Sequence, residues 1–489
     1  MQMAIATLIS RVLGLLRDVL FAREFGSSPE YDAYLVAILL PFILRRIFAE
    51  GALSTAFVPL YNRRCMLGNE KGERFANSIM TVFIPVILGI IIACTYFMPN
   101  IISIMAPGLS ANTKELTVYL GRIIFPFIIF ISLWAVYAGM LNSHDIYFAP
   151  ALSPAIHNIF VIIGIFLAPH FNPPILGPAI FFIIGGAAQW FSVYIFSKKI
   201  GYRMTPTYDR DDLKEFFPIF FSSFAALSIT QINSVVDTNV VSSLGSGSVS
   251  LLQYANRLFQ LPLGVFAISV STVALTQLSK KKGDEFNHHL MEGFERMLFF
   301  VLPATLGLIF MREDIIRLLF QRGEFGLYDT MMTSGILMGY CAGLPFYSLY
   351  SLLVKAEYSL GHTKITFWAS AVSVSINIIL DITLAPIYGP LGVALATSFA
   401  GIAGFVVLLI HLIKQKKVTI LKSNLFEFLK IFAGTFFMSV IILLINMNFD
   451  YSIIKVIIQI FCGVLVYALS LFALRQKDAV KFFKRLLKI

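Results

Sequence analysis

PLGVALATSFAGIAGFVVLLIHLI, residues 390–413, runs without a single Asp, Glu, Lys or Arg. A helix that crosses a bilayer must span about 30 Å of hydrocarbon, which takes roughly 20 predominantly apolar residues. Working outward from this run, the chain contains about fourteen of its kind. They cover residues 3–25, 31–60, 74–98, 114–141, 148–168, 175–197, 214–243, 249–278, 286–311, 330–356, 364–386, 390–413, 426–446 and 452–474. Barrel strands alternate in segments of about 10 residues. These runs are long and continuous, so the expected fold is an all-α polytopic membrane protein.

Composition leads to the same place. Of 489 residues, 58% are hydrophobic and 13% charged, and the mean hydropathy is +0.81. Soluble domains average about 45–50% apolar and about 25% charged residues. This chain lacks the polar surface to coat a water-soluble globule, and its 14% aromatic content is the reverse of a disordered signature. Cys65, Cys94, Cys341 and Cys462 lie far apart with no CxxC pair, which argues against a disulfide framework or a zinc site and for apolar filler. Arg11, Arg17 and Asp18 interrupt the first run, so it does not read as a signal peptide.

The net charge is +11, and the basic residues fall in alternate loops. Arg63, Arg64, Lys71 and Arg74 occupy one, Lys198, Lys199, Arg203 and Arg210 the next of the same parity. Lys280 to Lys282, then Lys414, Lys416, Lys417 and Lys422, continue the series, with Arg312, Arg317 and Arg322 as the exception. The positive-inside rule then puts both termini in the cytoplasm. Charge spread over loops is not a nucleic-acid patch, so no nucleic-acid partner is expected. Residues 475–489 mix Lys and Arg with Phe482, Phe483, Leu486 and Leu487. This tail reads either as an interfacial amphipathic helix on an anionic leaflet or as a solubilising tail.

The chain also repeats itself at a spacing of 219 residues: Asp18 and Gly26 return as Asp237 and Gly245, Pro126 as Pro345, and Asn158 as Asn377. The repeat assigns residues 1–200 and 211–415 to two six-helix lobes of like orientation. A pseudo-two-fold axis along the membrane normal should relate them, with the substrate path between. Residues 426–474 supply two further helices outside the repeat.

Ionisable groups inside a bilayer are costly and mark function or pairing. Helix 1 carries Arg11, Arg17 and Asp18, and helix 2 carries Asp32, Arg45, Arg46 and Glu50 after Pro41. Arg46 and Glu50 are spaced to pair within the helix. Arg257 follows in helix 8. Two readings stand. Arg11, Arg17, Arg45 and Arg257 line a cationic cavity whose guanidinium forks match phosphate oxygens, or they pair with Asp18, Asp32 and Glu50 and staple helices together. The second lobe carries Asp237, Asn377, Asp381 and Thr397. These are hard oxygen ligands suited to a hard cation or a proton relay, or they hydrogen-bond one another for packing. The histidines show no zinc-protease spacing, and Gly245-Ser246-Gly247-Ser248 reads as a turn.

The stretch Ser10-Arg11-Val12-Leu13-Gly14-Leu15-Leu16-Arg17-Asp18, with Arg45-Arg46-Ile47-Phe48-Ala49-Glu50-Gly51-Ala52-Leu53-Ser54-Thr55-Ala56-Phe57-Val58-Pro59, resembles the MurJ (MviN) family of lipid II flippases. That family belongs to the multidrug/oligosaccharidyl-lipid/polysaccharide exporter superfamily. Gln253-Tyr254-Ala255-Asn256-Arg257-Leu258 and Gly389-Pro390-Leu391-Gly392-Val393-Ala394-Leu395-Ala396-Thr397-Ser398 extend the resemblance over nearly the whole chain. It implies a transporter rather than an enzyme. Lipid II, an undecaprenyl diphosphate bearing the disaccharide-pentapeptide of peptidoglycan, would be flipped to the outer leaflet of the bacterial cytoplasmic membrane. The resemblance maps diphosphate-binding arginines to Arg11, Arg17, Arg45 and Arg257, and essential acids to Asp18, Asp32 and Glu50. A sodium site maps to Asp237, Asn377, Asp381, Val393 through its carbonyl, and Thr397. Residues 426–474 would form a groove for the lipid tail. No cofactor is expected beyond Na+ as a coupling ion, and the chain is expected to work as a monomer among membrane lipids. Lys355 departs from an Arg expected in some relatives, and loses the bidentate fork. The competing readings are a flippase for another polyprenyl-linked sugar, a cation-coupled drug exporter, and an enzyme acting on polyprenyl phosphates. The drug exporter requires an acidic cavity, and the enzyme requires a metal-binding acidic cluster or a nucleophile near the surface.

Overall fold

A computed structural model describes the backbone of residues 2–281, 283–419 and 421–480, and the side chains of all of these but Gln2, Ala4, Ala49, Glu50, Ala226, Ile229 and Thr230. Among the described residues every regular element is helical. A lipid-embedded chain has no water to satisfy its backbone, so helices that bond internally are the open-ended solution. The amphipathic tail expected at 475–489 lies outside the described residues from 481 onward.

The first repeat comprises α1 (Gln2–Phe25), α2 (Pro29–Leu44) joined through a π-helical turn (Arg45–Ala52) to α3 (Leu53–Met66), and α4 (Asn69–Tyr96). It continues with α5 (Met98–Met105), α6 (Ala111–Ile124), α7 (Phe127–Ser143), α8 (Phe148–Phe166) and α9 (Leu176–Ser197). The second repeats that order: α10 (Arg210–Ser242), α11 (Ser248–Pro262), a π-helical turn (Leu263–Ala267), α12 (Ile268–Leu278) and α13 (Gly283–Phe310). Then come α14 (Arg312–Leu319), α15 (Leu327–Ser359), α16 (Thr363–Tyr388) and α17 (Pro390–Lys414). α18 (Lys422–Asn448) and α19 (Ile453–Ala473) have no counterpart in the first repeat. Even the π-helical turn and the short helices α5 and α14 recur in the element order. One expected helix differs: the run 114–141 breaks between α6 and α7 at Phe125-Pro126, whereas Pro345 sits inside an unbroken α15. Proline removes one backbone donor, which permits a break without enforcing it.

Among the described residues, eleven helical stretches are long and apolar enough to cross a membrane on length and composition alone. The three expected spans outside that set lie on α1, on α2 through α3, and on α10. The first two carry the intramembrane arginines and carboxylates, which lower mean hydropathy. The chain is a multi-pass membrane protein.

It folds as two compact units, Met1–Ser250 with Gly323–Phe325, and Leu251–Arg322 with Gly326–Ile489. α10, the first helix of the second repeat, therefore belongs to the first unit. Polar stitching of the preceding segment explains this. Asn77 of α4 donates to the Arg203 carbonyl and to Thr205 Oγ1, both at 3.0 Å, and accepts from Tyr202 Oη at 2.6 Å. The Asp209 amide donates to Ser78 Oγ at 2.9 Å. Asp209 then caps α10, and Asp212 within its first turns accepts from Arg64 Nε at 2.8 Å. Arg63 also pairs with Glu215. α10 packs on the π-helical turn of the first repeat, where Gly51 leaves room for Leu227.

In the second unit, α18 and α19 dock on α13: Tyr467 Oη donates to the Phe299 carbonyl at 2.7 Å and Asn446 Nδ2 to the Phe310 carbonyl at 2.8 Å. Their other faces expose Phe432, Phe436, Ile457 and Phe461, as lipid-facing helices must.

The repeat-related glycines Gly26 and Gly245 both hold positive φ, +52° and +107°. A Cβ on Gly26 would lie 2.5 Å from the Glu324 carbonyl oxygen, while one on Gly245 would meet nothing within 4 Å. Both alanine variants should strain the turn by about 1–3 kcal/mol. Gly26→Ala must also displace backbone, so it should lower the melting temperature of the detergent-purified protein more than Gly245→Ala. Equal shifts would contradict the packing at Gly26.

Candidate functional site

α1 presents Arg17 and Asp18 on adjacent positions, and α8 lies against it within the first unit. Arg17 Nε and Nη2 reach Asp18 Oδ1 at 3.1 and 2.8 Å, and Nη1 reaches Asn158 Oδ1 of α8 at 3.1 Å. Asn158 Nδ2 in turn donates to the Ser10 carbonyl at 3.3 Å. The guanidinium is thus held by two helices, with 17% of its side chain accessible and 8% of that of Asp18. A fixed, partly accessible guanidinium of this kind is pre-organised for an anion, because little side-chain entropy remains to be lost on binding. His157, next in sequence to Asn158, lies within electrostatic reach of both Arg17 and Arg45. It is buried among the rings of Phe127 and Phe182, at centroid distances of 5.4 and 4.6 Å.

Arg45 and Arg46 both fall in the π-helical turn, Arg45 partly buried and Arg46 exposed. A π turn holds one extra residue and re-aims the side chains around it. The expected partner of Arg46, Glu50, has a side chain outside the described set. Arg11 is exposed on α1. Asp32 is 1% exposed, and its carboxylate accepts the Gly247 amide at 2.6 Å and the Ser250 amide at 2.8 Å. It caps the start of α11 and joins it to α2. Arg257 lies on α11 in the second unit, partly buried.

The oxygen-rich set divides as well. Asp237 is on α10, in the first unit; Asn377, Asp381, Val393 and Thr397 are on α16 and α17, in the second. Asn377 is 1% exposed, and Asp381 and Val393 are fully buried. Thr397 Oγ1 donates to the Val393 carbonyl at 3.1 Å. α16 and α17 pack so tightly that a Cβ on Gly392 would fall 2.4 Å from the Leu384 carbonyl oxygen. Carboxylate, amide, hydroxyl and carbonyl oxygens in a buried setting fit a hard cation by donor chemistry.

Two parts of this arrangement escape a reading of isolated motifs. Asn158 enters the sequence argument only as a repeat marker, and that recurrence is the signal by which it could have been found. Arg63 and Arg64 read as orientation markers, yet they latch α3 to the start of α10 through Asp212 and Glu215.

The profile of the family described as "Lipid II flippase MurJ" matches residues 21–462. The chain belongs to the MurJ family. It is 42% identical to the lipid II flippase MurJ of Thermosipho africanus over 464 residues, covering 95% of this chain and 94% of that one. It is 36% identical to the probable lipid II flippase MurJ of Thermotoga maritima, covering 99% and 97% of the two chains. A solved MurJ structure in an inward closed conformation superposes with a TM-score of 0.85 at 40% identity, covering 100% of this chain and 99% of that one. An inward-facing multidrug resistance MATE transporter superposes at 0.70 with 14% identity, covering 83% and 94%. That second likeness shows a shared fold. MurJ proteins are named as flippases, so the family is one of transporters rather than enzymes.

Truncating Arg17 leaves a buried carboxylate without its guanidinium, a loss of about 3–5 kcal/mol for buried ion pairs. Arg17→Ala should therefore lower the melting temperature markedly, and adding Asp18→Asn should restore part of it. A double variant no more stable than the single one would show that Asp18 does not depend on Arg17.

Proposed function

We propose that this chain flips lipid II from the cytoplasmic to the outer leaflet by alternating access, with its diphosphate captured by arginines. The observation that carries the reading is Arg17, fixed by Asp18 and Asn158 between α1 and α8, in a chain of the MurJ family. Relatives named as lipid II flippases supply the substrate.

The headgroup is large and polar and crosses lipid slowly unaided. The chain offers it a charged, wet path while the polyprenyl tail stays in lipid. Arg11, Arg17 and Arg45 engage the diphosphate; the resemblance adds Arg257 to the same role. Arg17 recruits phosphate oxygens without reorganisation because Asp18 and Asn158 already hold it. The two lobes, with α10 carried by the first, rock to close the cytoplasmic side and open the outer one, and residues 426–474 guide the tail. Both termini lie in the cytoplasm of a bacterial inner membrane, a placement supported by the basic loops. Outward movement of an anion against an inside-negative potential gains about 2.3 kcal/mol per charge per 100 mV. Resetting the emptied, positively lined path needs a second bias. Asn377, Asp381, the Val393 carbonyl and Thr397, with Asp237 added by the resemblance, would hold a sodium ion, whose differential affinity for the two conformations supplies that bias. A cation-coupled drug exporter fits less well, because the intramembrane charge of the first unit is led by guanidinium groups.

Leaflet accessibility of lipid II, in cells depleted of this protein, tests the capture step. Wild type should restore externally accessible lipid II. Arg17→Lys keeps the charge but not the fork, and loss of one charge-assisted hydrogen bond, about 1.5–3 kcal/mol, corresponds to a drop of roughly ten- to a hundredfold. A fully active Arg17→Lys of normal stability would sink the bidentate role. Sodium dependence is tested separately: flipping by wild type should fall when Na+ is replaced by choline, and Asp381→Asn should be slow in both media. Flipping insensitive to Na+ and to Asp381→Asn would remove the cation step.

A further inference from the structure

Three side chains meet at one end of the second unit, away from every position assigned above. Glu357 is in the last turn of α15, His362 caps the N-terminus of α16, and His411 is in the last turn of α17. The Glu357 side chain has no accessible surface, yet each of its oxygens faces an imidazole. Oε2 is 2.9 Å from His362 Nδ1, and Oε1 is 2.7 Å from His411 Nδ1. The three potential ligand atoms all lie within 4.8 Å of one another. The two rings stand nearly perpendicular, with centroids 5.5 Å apart.

Two histidines and one carboxylate form the protein ligand set of open zinc sites, in which a fourth position is left to water. The physical case rests on the carboxylate. A fully buried carboxylate has lost its hydration and must be compensated by the groups that face it. A divalent cation answers it with full charge. The ligands also come from three different helix ends that already converge, so binding demands side-chain adjustment and no backbone rearrangement. Access is open: 32% of the His362 side chain and 25% of that of His411 are exposed, so an ion can reach the imidazoles from water. Imidazole with carboxylate and no thiolate favours a borderline metal such as Zn2+ over Ca2+ or Mg2+, which prefer all-oxygen sets.

We infer that Glu357, His362 and His411 form a zinc-class metal site that ties together the ends of α15, α16 and α17. On binding, each imidazole coordinates through Nδ1 and carries its proton on Nε2. His411 Nε2 sits 3.2 Å from Gln415 Nε2. With the Gln415 amide turned over, its oxygen accepts that proton and holds the ring in the ligating tautomer.

The test uses the full chain, purified in detergent, stripped with a chelator, and titrated with Zn2+ by calorimetry and with Co2+ by visible absorption. Wild type should take up one Zn2+ per chain, give the intense absorption of four-coordinate Co2+, and melt at a higher temperature when loaded. His362→Ala should bind Zn2+ at least tenfold more weakly, with the Co2+ band lost and no rise in melting temperature on addition of Zn2+. His411→Asn should do the same, which keeps the proposal testable if one variant misfolds. Absence of stoichiometric Zn2+ uptake by wild type, or equal uptake by wild type and both variants, would overturn the site and leave Glu357 as a hydrogen-bonded clamp.

Discussion

The hold of Arg17 on Asp18, extended to Asn158, is the interaction around which the interior of the first unit is arranged. A charge in the apolar layer must be answered within the protein or it drives its helix toward the interface. Here the answer spans two helices, because Asn158 accepts from Arg17 and donates to the Ser10 carbonyl. α8 is thereby registered against α1, and the guanidinium is left with a defined orientation. The partners that make the charge tolerable are the same ones that fix its position.

The repeat shows how one frame carries two chemistries. Asn158 and Asn377 occupy the same position in the two repeats, as do Asp18 and Asp237. At the position of Arg17 the second repeat has Val236, and at the position of Asp381 the first repeat has Ile162. Charged and apolar residues are thus exchanged at two positions, while the order of helices, π-helical turns and short helices recurs apart from the break between α6 and α7. Likeness to a MATE transporter at 14% identity conveys fold and not cargo.

Joining the repeats is itself a structural task. The segment between α9 and α10 is polar in sequence and would pass for a simple linker. Asn77, Ser78 and Thr81 on α4 instead accept or donate along it, and Arg64 binds Asp212 at its far end. α10 is thus carried with the first unit although its sequence belongs to the second repeat. Asp32 has a comparable part, since its carboxylate satisfies two amides at the start of α11. An acid that the resemblance groups with the substrate site is, in this structure, committed to a helix end.

Hydropathy and repeat spacing by themselves determined the class of this protein, its helical runs and the duplication, because burial in lipid leaves long apolar segments and equal offsets as local marks. The intramembrane arginines were legible for the same reason: a charge inside such a segment is conspicuous. Tertiary structure alone decided the partners. Arg17 choosing Asp18 and Asn158, Asp32 capping α11, and Arg64 latching to Asp212 are contacts between residues that are adjacent in one case and remote in the others, with nothing local to set them apart. Glu357, His362 and His411 make the point most sharply. Their spacing matches no ligand motif, and only the convergence of three helix ends places their side chains around one point. Local pattern records what each segment must avoid, whereas side-chain partnership depends on where the segments meet.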